Sequence, residues 1–326
     1  MSVESLPLKR LFLSLLFTSA LLLILFTQIS LKDLYHLLIR IDPFWGIIAA
    51  VSYLFALYLR ALRFRWLIHS SEVLLSELFR ITVLYHLSLM VLPSKLGELT
   101  YPYLLNRWSG LGMTEGLASL ITSRVYDFFL IGILAMFILL GFQGGFQADL
   151  LTTSLLSIAF ILFTLFAFYN ISHWLRWAVH LVDKISQQAG WEKRRTVVWI
   201  KRKMYELAED FYAIRAKKTF YPVSLASLGA WIAIFLVFYA LMRGFGIEVS
   251  VFECLFGSTV AVIANALPLS GLGNWGTLEA GWAAGFLVVG LPKEEAIASG
   301  FGVHLVIFVV CGLTALVCWI SYHRPR

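Results

Sequence analysis

The sequence predicts an all-α polytopic membrane protein, with six full transmembrane helices, two re-entrant broken-helix hairpins and an inverted internal repeat. Three observations predict it. Of 326 residues, 60% are hydrophobic and 14% charged, against about 45–50% and 25% in soluble domains. Six apolar runs approach the ~20 residues that a helix needs to cross hydrocarbon. Two further apolar regions are interrupted by Pro and Gly at comparable places. Mean hydropathy is +0.83. A soluble enzyme, a disordered chain and a disulfide-stapled secreted domain are excluded. The net charge of +7 reports topology rather than nucleic acid, because Lys and Arg collect in cytoplasmic loops.

The elements follow in order. Lys9 and Arg10 precede an apolar run over 11–30. It is too long for a signal core of 7–15 residues and ends in no small-residue cleavage site, so it reads as a retained first helix. The other crossings are expected at 44–62, 117–140, 151–170, 223–242 and 297–320, within one integral membrane domain, 1–326. Residues 172–221 hold eleven Lys/Arg and five Asp/Glu, a balance of +6. This segment is expected in the cytoplasm, and both termini with it. The loops on the other side agree: 141–150 has no Lys or Arg, and in 31–43 Lys32 and Arg40 are balanced by Asp33 and Asp42. Arg60, Arg63 and Arg65 at the end of the second span are expected to snorkel to headgroups. Within 172–221, Val197, Ile200, Met204, Leu207, Phe211 and Ile214 recur at helical steps, an amphipathic helix that either packs under the bundle or grips anionic lipid. Cys254, Cys311 and Cys318 read as apolar packers.

The interrupted regions are 78–105, broken by Pro93, Gly97 and Pro102, and 251–290, broken by Pro268, Gly271, Gly273 and Gly276. Each begins near an acid (Glu77, Glu253), runs apolar for about 15 residues, then gives Leu-Pro, a Gly-containing bend and a Glu (Glu98, Glu279). Downstream, six residues of 110–128 recur 180 positions later, among them Gly110/Gly290, Ser119/Ser299 and Phe128/Phe308. The repeat cores are 76–140 and 251–320. Three crossings separate them, so the second copy is expected upside down. Matching Gly/Pro interruptions in two inverted halves point to a transporter site, since freed backbone groups at membrane depth can hold polar cargo.

LPSKLGE at 92–98, SRVYD at 123–127 and LPLSGLGNWGTLE at 267–279 resemble the transmembrane domain of lysylphosphatidylglycerol synthases and their stand-alone, flippase-like relatives. The likeness runs from about residue 8 to 322. It implies a protein of a bacterial or archaeal cytoplasmic membrane that moves a phospholipid or lipid-linked headgroup between leaflets. The bifunctional members carry a separate soluble domain that makes the aminoacyl-lipid; this chain stops at Arg326, and no synthase activity is expected. The motifs carry over Pro93, Gly97 and Glu98, then Arg124 and Asp127, then Pro268, Gly271, Gly273, Gly276 and Glu279. Relatives often have Arg where this chain has Tyr101 and an acid where it has Ser123, and both positions bear on headgroup preference.

Glu98 and Glu279 lead the substrate-binding candidates, because a carboxylate at membrane depth is costly and marks function by default. The rival reading is that each caps a helix or pairs locally. Arg124 and Asp127 lie three apart on one face, as a mutual ion pair or with Arg124 on a lipid phosphate. Asn265 is a candidate backbone binder, and Trp275 a platform for a cation. His86 and His304 read as helix–helix hydrogen bonders. No metal or other cofactor is expected. Membrane lipids are the expected partners, with a separate lipid-synthesis enzyme and a homo-oligomer both compatible, and nucleic acid is not. The competing classes are an intramembrane lipid-modifying transferase, which the absence of DxD, HExxH and GxSxG disfavours, and a non-transporting partner of a lipid-synthesis enzyme.

Overall fold

The computed structural model describes residues 31–68, 72–93, 96–141, 150–266 and 273–323, together with residues 19, 23, 25 and 27. Pro268, Gly271 and most of the predicted first span lie outside the described residues. Within them every regular element is helical. In chain order these are α1 (Leu31–Ile39), α2 (Pro43–Leu67), α3 (Leu75–Val91), a 3₁₀ turn (Leu96–Leu99), α4 (Thr100–Ser109), α5 (Met113–Gly141), α6 (Leu150–Gln188), α7 (Arg195–Ala216), α8 (Phe220–Gly244), α9 (Val251–Ala266), α10 (Thr277–Val288) and α11 (Lys293–His323).

Four described helices are long and apolar enough to cross a membrane: α2, α5 through Leu134, α8, and α11 through Ser321. The protein is membrane-embedded. Local chemistry sets the helix ends. Asp42 caps α2 by accepting from the Phe44 N–H at 2.8 Å, ahead of Pro43 in the first turn. Gly110 ends α4 at φ 68°, and Gly290 stands in the turn after α10 at φ 90°, a conformation that glycine adopts without penalty.

The expected crossing at 151–170 is only part of a 39-residue helix, α6, about 58 Å long at 1.5 Å per residue. Its apolar periodicity carries straight into the basic segment, so that segment begins as helix rather than loop. α7 then folds back against α6 and α5. Phe211 and Ile214 of the predicted stripe are buried. Lys201 pairs with Asp183 of α6, and Lys203 with Glu206. The packed-helix reading of this segment therefore holds for its C-terminal half.

Both interrupted regions are interrupted. α3 stops at Val91, and the chain resumes as the 3₁₀ turn and α4; α9 stops at Ala266, and α10 begins at Thr277. The two breaks meet main chain to main chain. The Gly273 N–H donates to the Leu92 carbonyl at 3.2 Å. A Cβ on Gly273 would lie 2.0 Å from the Met90 carbonyl oxygen, and its φ is 58°, so two independent constraints demand glycine here.

Two runs of four helices correspond in length: 25, 17, 10 and 29 residues for α2–α5, and 25, 16, 12 and 31 for α8–α11. α2 and α8 pack along each other in opposite directions: the Asp42 N–H reaches the last residue of α8, Gly244, at 2.9 Å, while Arg63 near the end of α2 reaches Ser227 near the start of α8. α3 packs on α11, and α9 packs on α5.

Candidate functional site

A polar network fills the space where α2, α3, α5, α8 and the first break converge. Glu98 enters it from the 3₁₀ turn. That turn lies close against α3, since a Cβ on Gly97 would come 2.7 Å from the Ser88 carbonyl oxygen. The Ser88 hydroxyl donates to the Gly97 carbonyl at 3.1 Å. Arg124 of α5 donates through Nη2 to Glu98 Oε1 at 2.7 Å and to the Tyr85 hydroxyl at 2.6 Å; Tyr85 in turn donates to Glu98 Oε2 at 2.9 Å. The three form a closed triangle across the break.

One turn along α5, Asp127 takes a two-pronged hold from Arg63 of α2, at 2.7 and 3.3 Å, and a third bond from the Trp231 indole of α8 at 3.0 Å. Charge-assisted bidentate pairs of this kind are the strong ones. Arg124 lies 3.9 Å from Asp127 through its other arm, so the two pairs share an edge. The Arg63 side chain is 4% exposed and that of Asp127 12%, whereas those of Arg124 and Glu98 are 38% and 26% exposed. The network therefore has a sealed inner pair and an open outer pair.

Arg60 extends it. Its guanidinium donates to His86 Nε2 at 2.8 Å, and His86 Nδ1 lies 2.8 Å from the Thr82 carbonyl. Arginine can only donate, so Nε2 accepts and Nδ1 carries the proton. His86 is thus neutral, and the network holds three guanidinium groups against two carboxylates, an excess of one positive charge.

A second cluster surrounds the other break. Glu279, in the first turn of α10, is fully buried. Its carboxylate accepts from the Gly276 N–H at 2.7 Å and lies 2.6 Å from His304 Nδ1 of α11. Trp275 stacks on the His304 ring, with centroids 4.1 Å apart. Glu279 therefore does cap its own helix, and the cation platform expected at Trp275 carries a histidine ring.

The clusters occupy matching places. His304 stands 180 positions after Arg124, and Glu279 stands 181 after Glu98. Tyr101 lies 3.3 Å from the Ser119 hydroxyl, and Trp282, 181 positions later, donates to the Ser299 hydroxyl at 3.0 Å. Ser119 donates to the Gly116 carbonyl and Ser299 to that of Ala296, again 180 apart.

Of the predicted site residues, Glu98, Arg124 and Asp127 come together, Glu279 and Trp275 form the second cluster, and Asn265 is half-buried at the end of α9. The Arg124–Asp127 pair expected from spacing is secondary, because Asp127's main partner is Arg63. The expected snorkelling of Arg60 and Arg63 is corrected: both turn inward. The helical repeat held the signal, since Arg63 continues the buried series Ala49, Ser52, Ala56 of α2. Tyr85 and Trp231 carried no sequence signal, because hydroxyl and indole groups in apolar helices are ordinary.

The family model for the lysylphosphatidylglycerol synthase TM region matches residues 11–315. The chain belongs to that family. This ties a membrane protein to lipid synthesis or translocation. No curated protein and no solved structure matches the chain.

Proposed function

We propose that this family member translocates a phospholipid or lipid-linked headgroup between leaflets, along a polar path between the two interrupted segments, and that it does no covalent chemistry. The observation that carries this reading is the cationic network opening at Arg124 and Glu98 beside the joined breaks. A headgroup crossing bare hydrocarbon loses its hydrogen bonds, at several kcal/mol for each unsatisfied group. Arg124 would take the phosphate, and Glu98 would take a cationic part of the headgroup or a proton.

The two four-helix runs are read as inverted copies, and the two interrupted segments as re-entrant. The matching lengths, the antiparallel α2–α8 pair, the exchanged packing of α3 on α11 and α9 on α5, and the side-chain pairs repeated 180 positions apart support the inversion. The interrupted helices have 10 to 17 residues, about 15–26 Å at 1.5 Å per residue, short of a ~30 Å hydrocarbon core. With six full crossings and both termini in the cytoplasm of a cytoplasmic membrane, Glu98 is reached from inside and Glu279 from outside. Rocking one copy against the other would then alternate access. A separate enzyme would supply the lipid.

The test is leaflet exchange of a fluorescent phospholipid in liposomes holding the purified protein. Exchange above empty liposomes, slowed at least tenfold by Arg124→Gln, is the expected result. Exchange equal to that of empty liposomes, or unchanged by Arg124→Gln and Glu98→Gln in well-folded protein, overturns the reading.

A further inference from the structure

Arg60, Arg63 and Arg124 all have partners within the helical bundle. Arg80, on α3, makes no hydrogen bond and no ion pair among the described residues. It is half-buried and stands in the wall of a groove of about 350 Å³ between α2, α3 and α11, within the ~300–1,000 Å³ of ordinary small-ligand sites. Phe79, Val317 and Cys318 give the groove apolar walls; Ser76 and Ser321 also line it, the Ser321 hydroxyl donating to the Val317 carbonyl at 2.7 Å. Ser76 and Arg80 are four apart, hence on one face of α3, while Ser321 comes from the last turns of α11. A guanidinium keeps its charge at any working pH and presents five donors in a fork that fits phosphate. Placed against apolar walls with no counter-ion among the described residues, it is complementary to an anion that brings its own apolar part. The outer surface of α11 beside the groove is apolar too, with Leu313, Leu316, Val317 and Ile320 each about half or more exposed, and hydrocarbon would cover it in a bilayer.

We propose that this groove is a second lipid site, separate from the Arg124–Glu98 network, and that it holds an anionic phospholipid with its phosphate on Arg80 and an acyl chain against Phe79 and Val317. The site needs no transport, so it stands whether or not the translocation reading does.

The experiment uses the full chain purified in zwitterionic phosphatidylcholine micelles or nanodiscs. Phosphatidylglycerol is titrated in, and the thermal unfolding midpoint is followed. The expected result is a saturable rise that neither phosphatidylcholine nor inorganic phosphate produces. Arg80→Gln should raise the half-saturating concentration about fivefold, the worth of one basic residue near an anionic lipid. Arg107→Gln, at an exposed arginine in the last turn of α4, should leave it unchanged. Val317→Trp fills the groove without altering charge and should also weaken the response; it decides the matter if Arg80→Gln does not fold. Glu98→Gln should keep the parent response, which separates failure here from failure of translocation. A parent response in both Arg80→Gln and Val317→Trp overturns the proposal. So does inorganic phosphate acting as well as the lipid, or Val317→Trp changing the oligomeric state while the lipid response stays.

Discussion

Two carboxylates stand just past two matching breaks, and their surroundings differ. Glu98 faces a permanent cation, Arg124, and a phenol, in a pair about a third exposed. Glu279 faces an imidazole under an indole and is wholly buried. The helix lengths and side-chain positions around the two breaks match, but the chemistry does not. An arginine keeps its charge at any working pH, so the first cluster always presents a cation, and its outer pair is partly exposed. In the second cluster the carboxylate has an imidazole and a backbone N–H as partners, and both carboxylate and imidazole are out of solvent reach. The difference shows how two helical frames of matching lengths can pack alike while one cluster stays accessible and the other is closed off.

The largest expected effect tests the inner pair that anchors the open half. Asp127→Ala leaves Arg63 buried without its counter-ion and should destabilise the protein by about 3–5 kcal/mol. Denaturant titration in micelles would measure this, and an Arg63→Met, Asp127→Leu double variant should recover much of the loss. Next comes the joint between the halves. Gly273→Ala meets both a carbonyl oxygen and a positive φ; the φ alone costs about 1–2 kcal/mol, and the displaced Met90 backbone adds to it. Gly110→Ala shares the positive φ but has open space around its Cβ, so the gap between the two midpoints isolates the contact. Third, Glu279→Gln keeps an acceptor for the Gly276 N–H but strips His304 of its anion, at about 1–3 kcal/mol. Glu98→Gln is the smallest in stability, under about 1 kcal/mol for a partly exposed pair, yet it should slow lipid exchange more than Glu279→Gln does. Equal slowing by both would erase the functional contrast drawn between the halves.

Sequence reasoning reached the interruptions, the 180-residue offset and the trio Glu98, Arg124 and Asp127, because each leaves a local mark: a Pro-Gly break, a repeated spacing, a charge in an apolar run. It missed what lies between elements. Asp127 read as Arg124's partner because three residues separate them, whereas its stronger partner is 64 positions away on α2. Arg63 reads as a headgroup anchor because it directly follows the expected span 44–62, where such anchors are common. Only the buried face of α2 showed otherwise. Tyr85 and Trp231 became visible once α3 and α8 were placed around α5. The likeness between the two stretches is weak in letters, because Arg124/His304 and Tyr101/Trp282 differ in identity while keeping corresponding partner positions.

The seam at Leu92 and Gly273 is made of main chain. A joint of that kind is blind to most substitutions. Any residue but proline can supply the amide, and any residue at all can supply the carbonyl, so position 92 is free to drift without loosening the two halves. Position 273 is not, because its contribution is a side chain that must be missing. The chain therefore stores the instruction for bringing its halves together as a single omission, and a mutational scan should find intolerance at 273 and indifference at 92 although both form the same bond.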